Sequence, residues 1–368
     1  MPIRKRVLVV ASVLGGLVVA LPAATVTMPL AEVRAGMRGT GVTVFAGTER
    51  SEFDAEIIGV LENSFGPRQN LILARLDGGP LAKSGVIQGM SGSPVYIEDR
   101  LIGAVSYALG SFTNDTIAGI TPIDEMLRAD TSSPRAASVI PELALPLSTE
   151  LLTTLLLMPS GPVDRFATRP RSVHADGIGA DLDAAIGTEL RPIATPVVMS
   201  GFAPPAFEQI AGRLRGTGLV AVVGGTTSGV STQPSDDPLQ PGDAVGVSLM
   251  QGDLSMAGTG TVTMVEAGRL YAFGHPFYNL GPSSFPMTRA YVHTVLSSQA
   301  ISSRIATVGE TLGTIDQDRS TGISGAFGAG PGMVPVHIDI EAAESGHTGS
   351  FDFEVVDDEL FTPLLVYN

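Results

Sequence analysis

Glycine and proline punctuate this chain at short intervals: 44 glycines and 26 prolines are spread through 368 residues, with no tryptophan and only 16% charged side chains. Between these breaks lie short runs rich in valine, isoleucine, threonine and phenylalanine, residues that fit a pleated, half-buried surface. The pattern implies many short strands joined by tight turns, so the chain is expected to be mainly β with few short helices. No internal period recurs, which excludes solenoids and propellers. The length suffices for two modest domains or one large β unit.

The runs fall into two groups. From residue 28 to 130, apolar stretches at Gly41 to Phe45, Phe53 to Leu61, Asn70 to Leu76, Pro94 to Glu98, Leu101 to Leu109 and Ile117 to Ile123 make a barrel-like series. Glu98-Asp99-Arg100 is a hairpin turn and Pro122 to Leu127 a short closing helix. Residues 131–195 hold seven scattered prolines and no sustained alternation, as expected of a linker, with short helices at Thr149 to Met158 and Ala180 to Ile186. Strands return over 196–368, after a helix at Pro204 to Leu214 whose Phe207, Ile210, Ala211 and Leu214 share one face. Glu266-Ala267-Gly268 turns one strand into the next, and the apolar segment Phe361 to Leu365 needs cover, as a longer natural chain would supply.

Arg4-Lys5-Arg6 followed by the uncharged run Val7 to Ala24 has the charge and hydropathy of an export signal or N-terminal anchor over residues 1–27. Export to the periplasm, the cell surface or the medium is expected, with membrane contact only through that segment. A net charge of −15 argues against nucleic acid as a partner. The absence of cysteine excludes disulfides, thiolate metal sites and a cysteine nucleophile. Five scattered histidines without a His-x-x-x-His pair argue against catalytic zinc, and no cofactor is expected.

One stretch has the form of a catalytic loop. In Gly85 to Tyr96, Ser91 stands between Gly89 and Gly92, so the backbone can turn sharply and leave a hydroxyl beside converging N–H groups. The backbone N–H groups of Gly89 and Ser91 are the expected oxyanion donors, and Ser93 is structural. The bland alternative is a glycine- and serine-rich β-turn. A base is available in Gly274-His275-Pro276, a histidine held stiffly at a strand end. Asp77, fourteen residues before Ser91, is a candidate acid or a simple Asx-turn residue. Lys83 is the one lysine beyond the export segment and the alternative base of a Ser-Lys hydrolase.

Gln88-Gly89-Met90-Ser91-Gly92-Ser93-Pro94, with Leu101-Ile102-Gly103-Ala104-Val105 downstream, resembles the active-site region of the SpoIVB-type serine peptidases. The Gly274-His275 pair and the glycine-rich Gly309 to Gly325 are similar to that family's histidine motif and the segment after it. The resemblance implies a trypsin-like pair of β-barrel halves, a protein or peptide substrate, Ser91 as nucleophile, His275 as general base and Asp77 as the acid. Serine precedes histidine here, the reverse of the family's order, and Pro276 follows the histidine where the family has glycine. The alternative is an inactive relative that binds peptides or an envelope protein through the same cleft.

Overall fold

The computed structural model describes residues 25–109, 115–130, 173–174, 189–224, 237–298, 301–342, 347–359 and 361–366. The export segment as far as residue 24, the two short helices expected between 149 and 186, and most of the loop 224–229 lie outside the described residues.

Two closed six-stranded antiparallel barrels form the molecule. The first contains β1 (Arg38–Ala46), β2 (Glu49–Gly66) and β3 (Gln69–Asp77), then the short helix α1 (Leu81–Ser84) and the two-residue strand β4 (Ile87–Gln88). It continues with β5 (Pro94–Ile97), β6 (Arg100–Leu109), β7 (Ile117–Pro122) and helix α2 (Ile123–Asp130). The strand order β5-β1-β2-β3-β7-β6, with β5 also paired to β6, closes the ring and leaves β4 outside it. Alternation explains the closure: Phe53, Ala55 and Ile57 of β2 point into the core while Asp54 between them and Ile58 after them face water. Two further strands, β8 (Val173–His174) and β9 (Glu189–Pro192), extend the sheet beyond β6.

The second barrel follows strand β10 (Thr195–Ser200), helix α3 (Pro204–Leu214) and strand β11 (Leu219–Val223). Its ring uses β12 (Ala244–Gly252), β13 (Ser255–Glu266), β14 (Arg269–Ala272), β15 (Gly281–Leu296), β16 (Ser302–Arg319) and β17 (Gly322–Phe327). Pairing runs β12-β13-β14-β17-β16-β15 and back to β12. A hairpin of β18 (Met333–Ala342) and β19 (His347–Val356) extends from β12, and helix α4 (Phe361–Val366) brings Phe361 into the core against Phe277, Tyr278 and Phe285. The apolar segment that needed cover is thus partly covered by this barrel itself. Among the described residues no helix is long and apolar enough to cross a membrane.

The mainly β architecture anticipated from the strand pattern is the one found, and its two barrels are consistent with the trypsin-like pair that the resemblance implies. Both hairpin turns are present: Glu98 and Asp99, and Ala267 and Gly268, take the paired positive φ values that two-residue turns require. Two elements differ from expectation. β15 and β16 are far longer than the runs visible in sequence, because register shifts interrupt their alternation and Pro282 and Pro286 lie inside β15. The barrels are joined by direct backbone pairing: β4 runs parallel to the start of β16, and the Gly47 and Val292 N–H groups each donate to the other's carbonyl, at 2.6 and 3.1 Å.

Candidate active site

The Ser91 loop begins where β4 leaves β16. Gly89 and Gly92 have φ of +91° and +96°, a region closed to most side chains, and they turn the chain sharply on either side of Ser91. All four carbonyls from Gly89 to Gly92 are held. Gly89 O accepts from Arg304 Nη1 at 2.6 Å and the Thr261 hydroxyl at 3.0 Å. Met90 O accepts from the Ser93 hydroxyl at 2.5 Å and the Ser93 N–H at 3.0 Å. Ser91 O accepts from the Thr261 N–H at 2.8 Å, and Gly92 O from the Thr263 hydroxyl at 2.7 Å. Three of these four carbonyls are therefore fixed by β13 and β16 of the other barrel.

The exchange is mutual. Gly274, at φ +69°, packs where a Cβ would meet the side chains of Ala104 and Ser106 at 3.0 Å, and its carbonyl accepts from the Thr121 hydroxyl at 2.7 Å. The first barrel thus holds the histidine loop as the second holds the serine loop. The two loops touch: a Cβ on Gly92 would lie 2.5 Å from the Phe273 nitrogen and 1.9 Å from Thr261 O, so only glycine fits beside Ser91. Phe273 itself has φ +70°, unusual for a bulky residue, and its ring lies over Gly260.

His275 is 2% exposed and Ser91 is 0% exposed. His275 Nδ1 lies 2.8 Å from the Pro276 carbonyl, an arrangement in which neutral imidazole donates Nδ1–H and keeps a lone pair on Nε2. Burial lowers its pKa to about 4, outweighing the opposing effect of that carbonyl, so the ring is neutral at pH 7. Among the described residues, Ser91 Oγ and His275 Nε2 are both buried without a hydrogen-bond partner, and hence are not bonded to each other. Leaving such atoms unpaired costs about 1–3 kcal/mol each, and buried exceptions of this kind call for a functional reason.

The histidine loop has a carboxylate anchor. Asp318, fully buried near the end of β16, accepts from the N–H groups of Phe277 at 2.8 Å, Tyr278 at 2.7 Å and Leu280 at 3.2 Å. Desolvation raises its pKa to about 6 against the pull of these bonds.

The expected acid makes no hydrogen bond to the histidine. Asp77 is exposed at the end of β3, where Oδ1 accepts the Gly78 N–H at 2.7 Å, and no hydrogen bond joins it to His275. An exposed carboxylate closing a turn stays solvated and satisfied, whereas burial beside the imidazole would strip its water. Asp253 accepts from the Asp352 N–H, and Asp316 pairs with Arg269, so neither replaces it. Lys83 is exposed in α1. Of the expected oxyanion donors, the Ser91 N–H has no acceptor among the described residues, while Met90, Gly92 and Ser93 N–H groups are all engaged. Ser93 is tied within the loop, its hydroxyl also 2.7 Å from Thr43 Oγ1. Sequence reasoning did not find Arg304, Thr43, Thr261 or Thr263, whose convergence no local pattern signals.

Fold and site together define a two-barrel β protein with an unpaired buried serine and histidine on touching loops. The SpoIVB peptidase S55 family matches residues 22–127, which include the first barrel and Ser91 but not His275. The match covers the serine-bearing segment, less than half of the chain. No curated protein and no solved structure matches the chain.

Proposed function

We propose that the protein is an exported serine endopeptidase in which Ser91 is the nucleophile and His275 the general base. The observation that carries this reading is the pair of buried, unpartnered atoms, Ser91 Oγ and His275 Nε2, on loops in contact. With Nδ1–H directed to the Pro276 carbonyl, Nε2 has the free lone pair needed to accept the Ser91 proton as Oγ attacks the peptide carbonyl. The free Ser91 N–H, with that of Gly89, would receive the developing oxyanion, and the imidazolium would then protonate the leaving amine. Water would release the acyl group by the same steps in reverse. In this scheme the Pro276 carbonyl orients the ring, the task that an aspartate performs in a Ser-His-Asp triad. Export rests on the basic start and apolar run of the first 24 residues. Because Ser91 is fully buried, a protein or peptide substrate reaches it after the loops part.

The test is labelling of the full chain by a fluorophosphonate probe. Wild type is expected to label, Ser93→Ala to label more slowly and Ser91→Ala to remain unlabelled. Labelling that survives in Ser91→Ala would move the nucleophile elsewhere, and a folded wild type that never labels would leave a binding protein.

A further inference from the structure

The buried guanidinium of Arg304 has no place in the chemistry described so far. It is 1% exposed, and among the described residues its contacts are all neutral: Gly89 O at 2.6 Å, Thr261 Oγ1 at 3.0 Å and Thr43 Oγ1, with no carboxylate and no partner for Nε. Stripping water from a cation costs several kcal/mol, so an arginine without a counter-ion in a core demands a compensating purpose. Its pKa, lowered by desolvation to about 9, leaves the charge in place at pH 7.

The hydrogen bonds have a direction. Arg304 only donates, so Thr43 Oγ1 accepts from it; the Ser93 proton goes to Met90 O at 2.5 Å, so Thr43 donates to Ser93 across 2.7 Å. The chain therefore runs from the cation through two hydroxyls to the Met90 carbonyl, and each bond polarises the next. A trans peptide is planar, with its C=O and N–H opposed, so fixing Met90 C=O fixes the direction of Ser91 N–H. Arg304 also holds the preceding peptide directly through Gly89 O.

We infer that Arg304 is a positioning residue that aims the Ser91 N–H as an oxyanion donor, acting through Thr43 and Ser93. This rests on the peptidase reading. The charge does not touch the substrate; it sets the peptide planes that do, and it strengthens the N–H that the transition state uses more than the ground state.

Fluorophosphonate labelling of the full chain, resolved into kinact and KI, separates this from a scaffold role. Arg304→Met is expected to lower kinact by about 100-fold, the lower end of the effect of losing one oxyanion donor, with KI within about twofold of wild type. Arg304→Lys, which keeps a cationic donor, should recover about tenfold of that loss. Thr43→Val cuts the relay but leaves Arg304 on Gly89 and Thr261, and should lower kinact about tenfold; it decides the matter if Arg304→Met does not fold. A folded Arg304→Met or Thr43→Val with kinact within about twofold of wild type overturns the inference. So does a parallel loss in kinact and KI that Arg304→Lys fails to relieve. These outcomes leave the peptidase reading intact, whereas a wild type that never labels removes both.

Discussion

His275 and Asp318 are two buried titratable groups on the same side of the molecule's chemistry, and their linkages to pH have opposite signs. The His275 pKa falls from 6.5 to about 4, so the unfolded chain binds more protons between those values and stability is lost as pH falls through them. The Asp318 pKa rises from 3.8 to about 6, so its contribution is present below 3.8 and is lost as pH rises through about 6. The windows overlap and the slopes oppose. Urea unfolding across this range should show His275→Gln losing stability with rising pH relative to wild type, and Asp318→Asn gaining it. Equal slopes in the two variants would contradict the burial of one or both groups. Ser91 and His275 stand out in sequence because glycine spacing and a proline make local demands that few other patterns share, and both side chains are buried in the structure. For Asp77 the sequence left two readings, because an Asx-turn residue and a triad acid look alike in one dimension, and the structure shows the turn contact. Arg304 was illegible: nothing local to 304 shows that residues 43, 89 and 261 converge on it.

At the level of elements, β16 does two jobs with one strand. Its first residues pair with β4 and carry Arg304 to the serine loop, and Asp318 near its last holds the loop that follows His275. The loops are thus set relative to each other by one continuous backbone. The short strands could be read from residue type and both hairpin turns from the breaks between strands, Asp99 and Gly268 being residue types that tolerate positive φ. The length of β15 and β16 could not, because bulges shift the side-chain alternation on which such a reading depends. Close packing at the junction makes a sharp prediction for Gly92→Ala. The new Cβ would fall 1.9 Å from Thr261 O at a φ of +96°, so the loop must leave β13. A loss of more than about 3 kcal/mol in urea unfolding is expected, with labelling of Ser91 largely abolished. Wild-type stability in this variant would mean that the serine loop does not dock on the second barrel.

On the scale of the whole molecule, the order of the two barrels matters less than their docking. The serine loop of the first barrel and the histidine loop of the second pack against each other whichever comes first in the chain, and in the proposed peptidase a catalytic constellation is defined by geometry and not by chain position. Here that junction is shut, with Ser91 0% and His275 2% exposed. A probe therefore reacts in proportion to the population in which the barrels have parted, and its apparent affinity falls by that fraction. Contacts that tie the barrels away from the chemistry should then restrain the rate. Arg50 of β2 reaches Asp243 beside β12 at 3.2 Å, with side chains 39% and 15% exposed, a bridge between the two bodies that touches neither loop. A partly exposed pair of this kind is worth about 0.2–1 kcal/mol, so Arg50→Ala should raise the open population, and with it the fluorophosphonate labelling rate, by about 1.5- to 5-fold. Stability to urea should fall by no more than the same amount. If the labelling rate is unchanged or lower while the variant is folded, parting of the barrels at that edge does not control access to Ser91, and the route in lies through local movement of the loops.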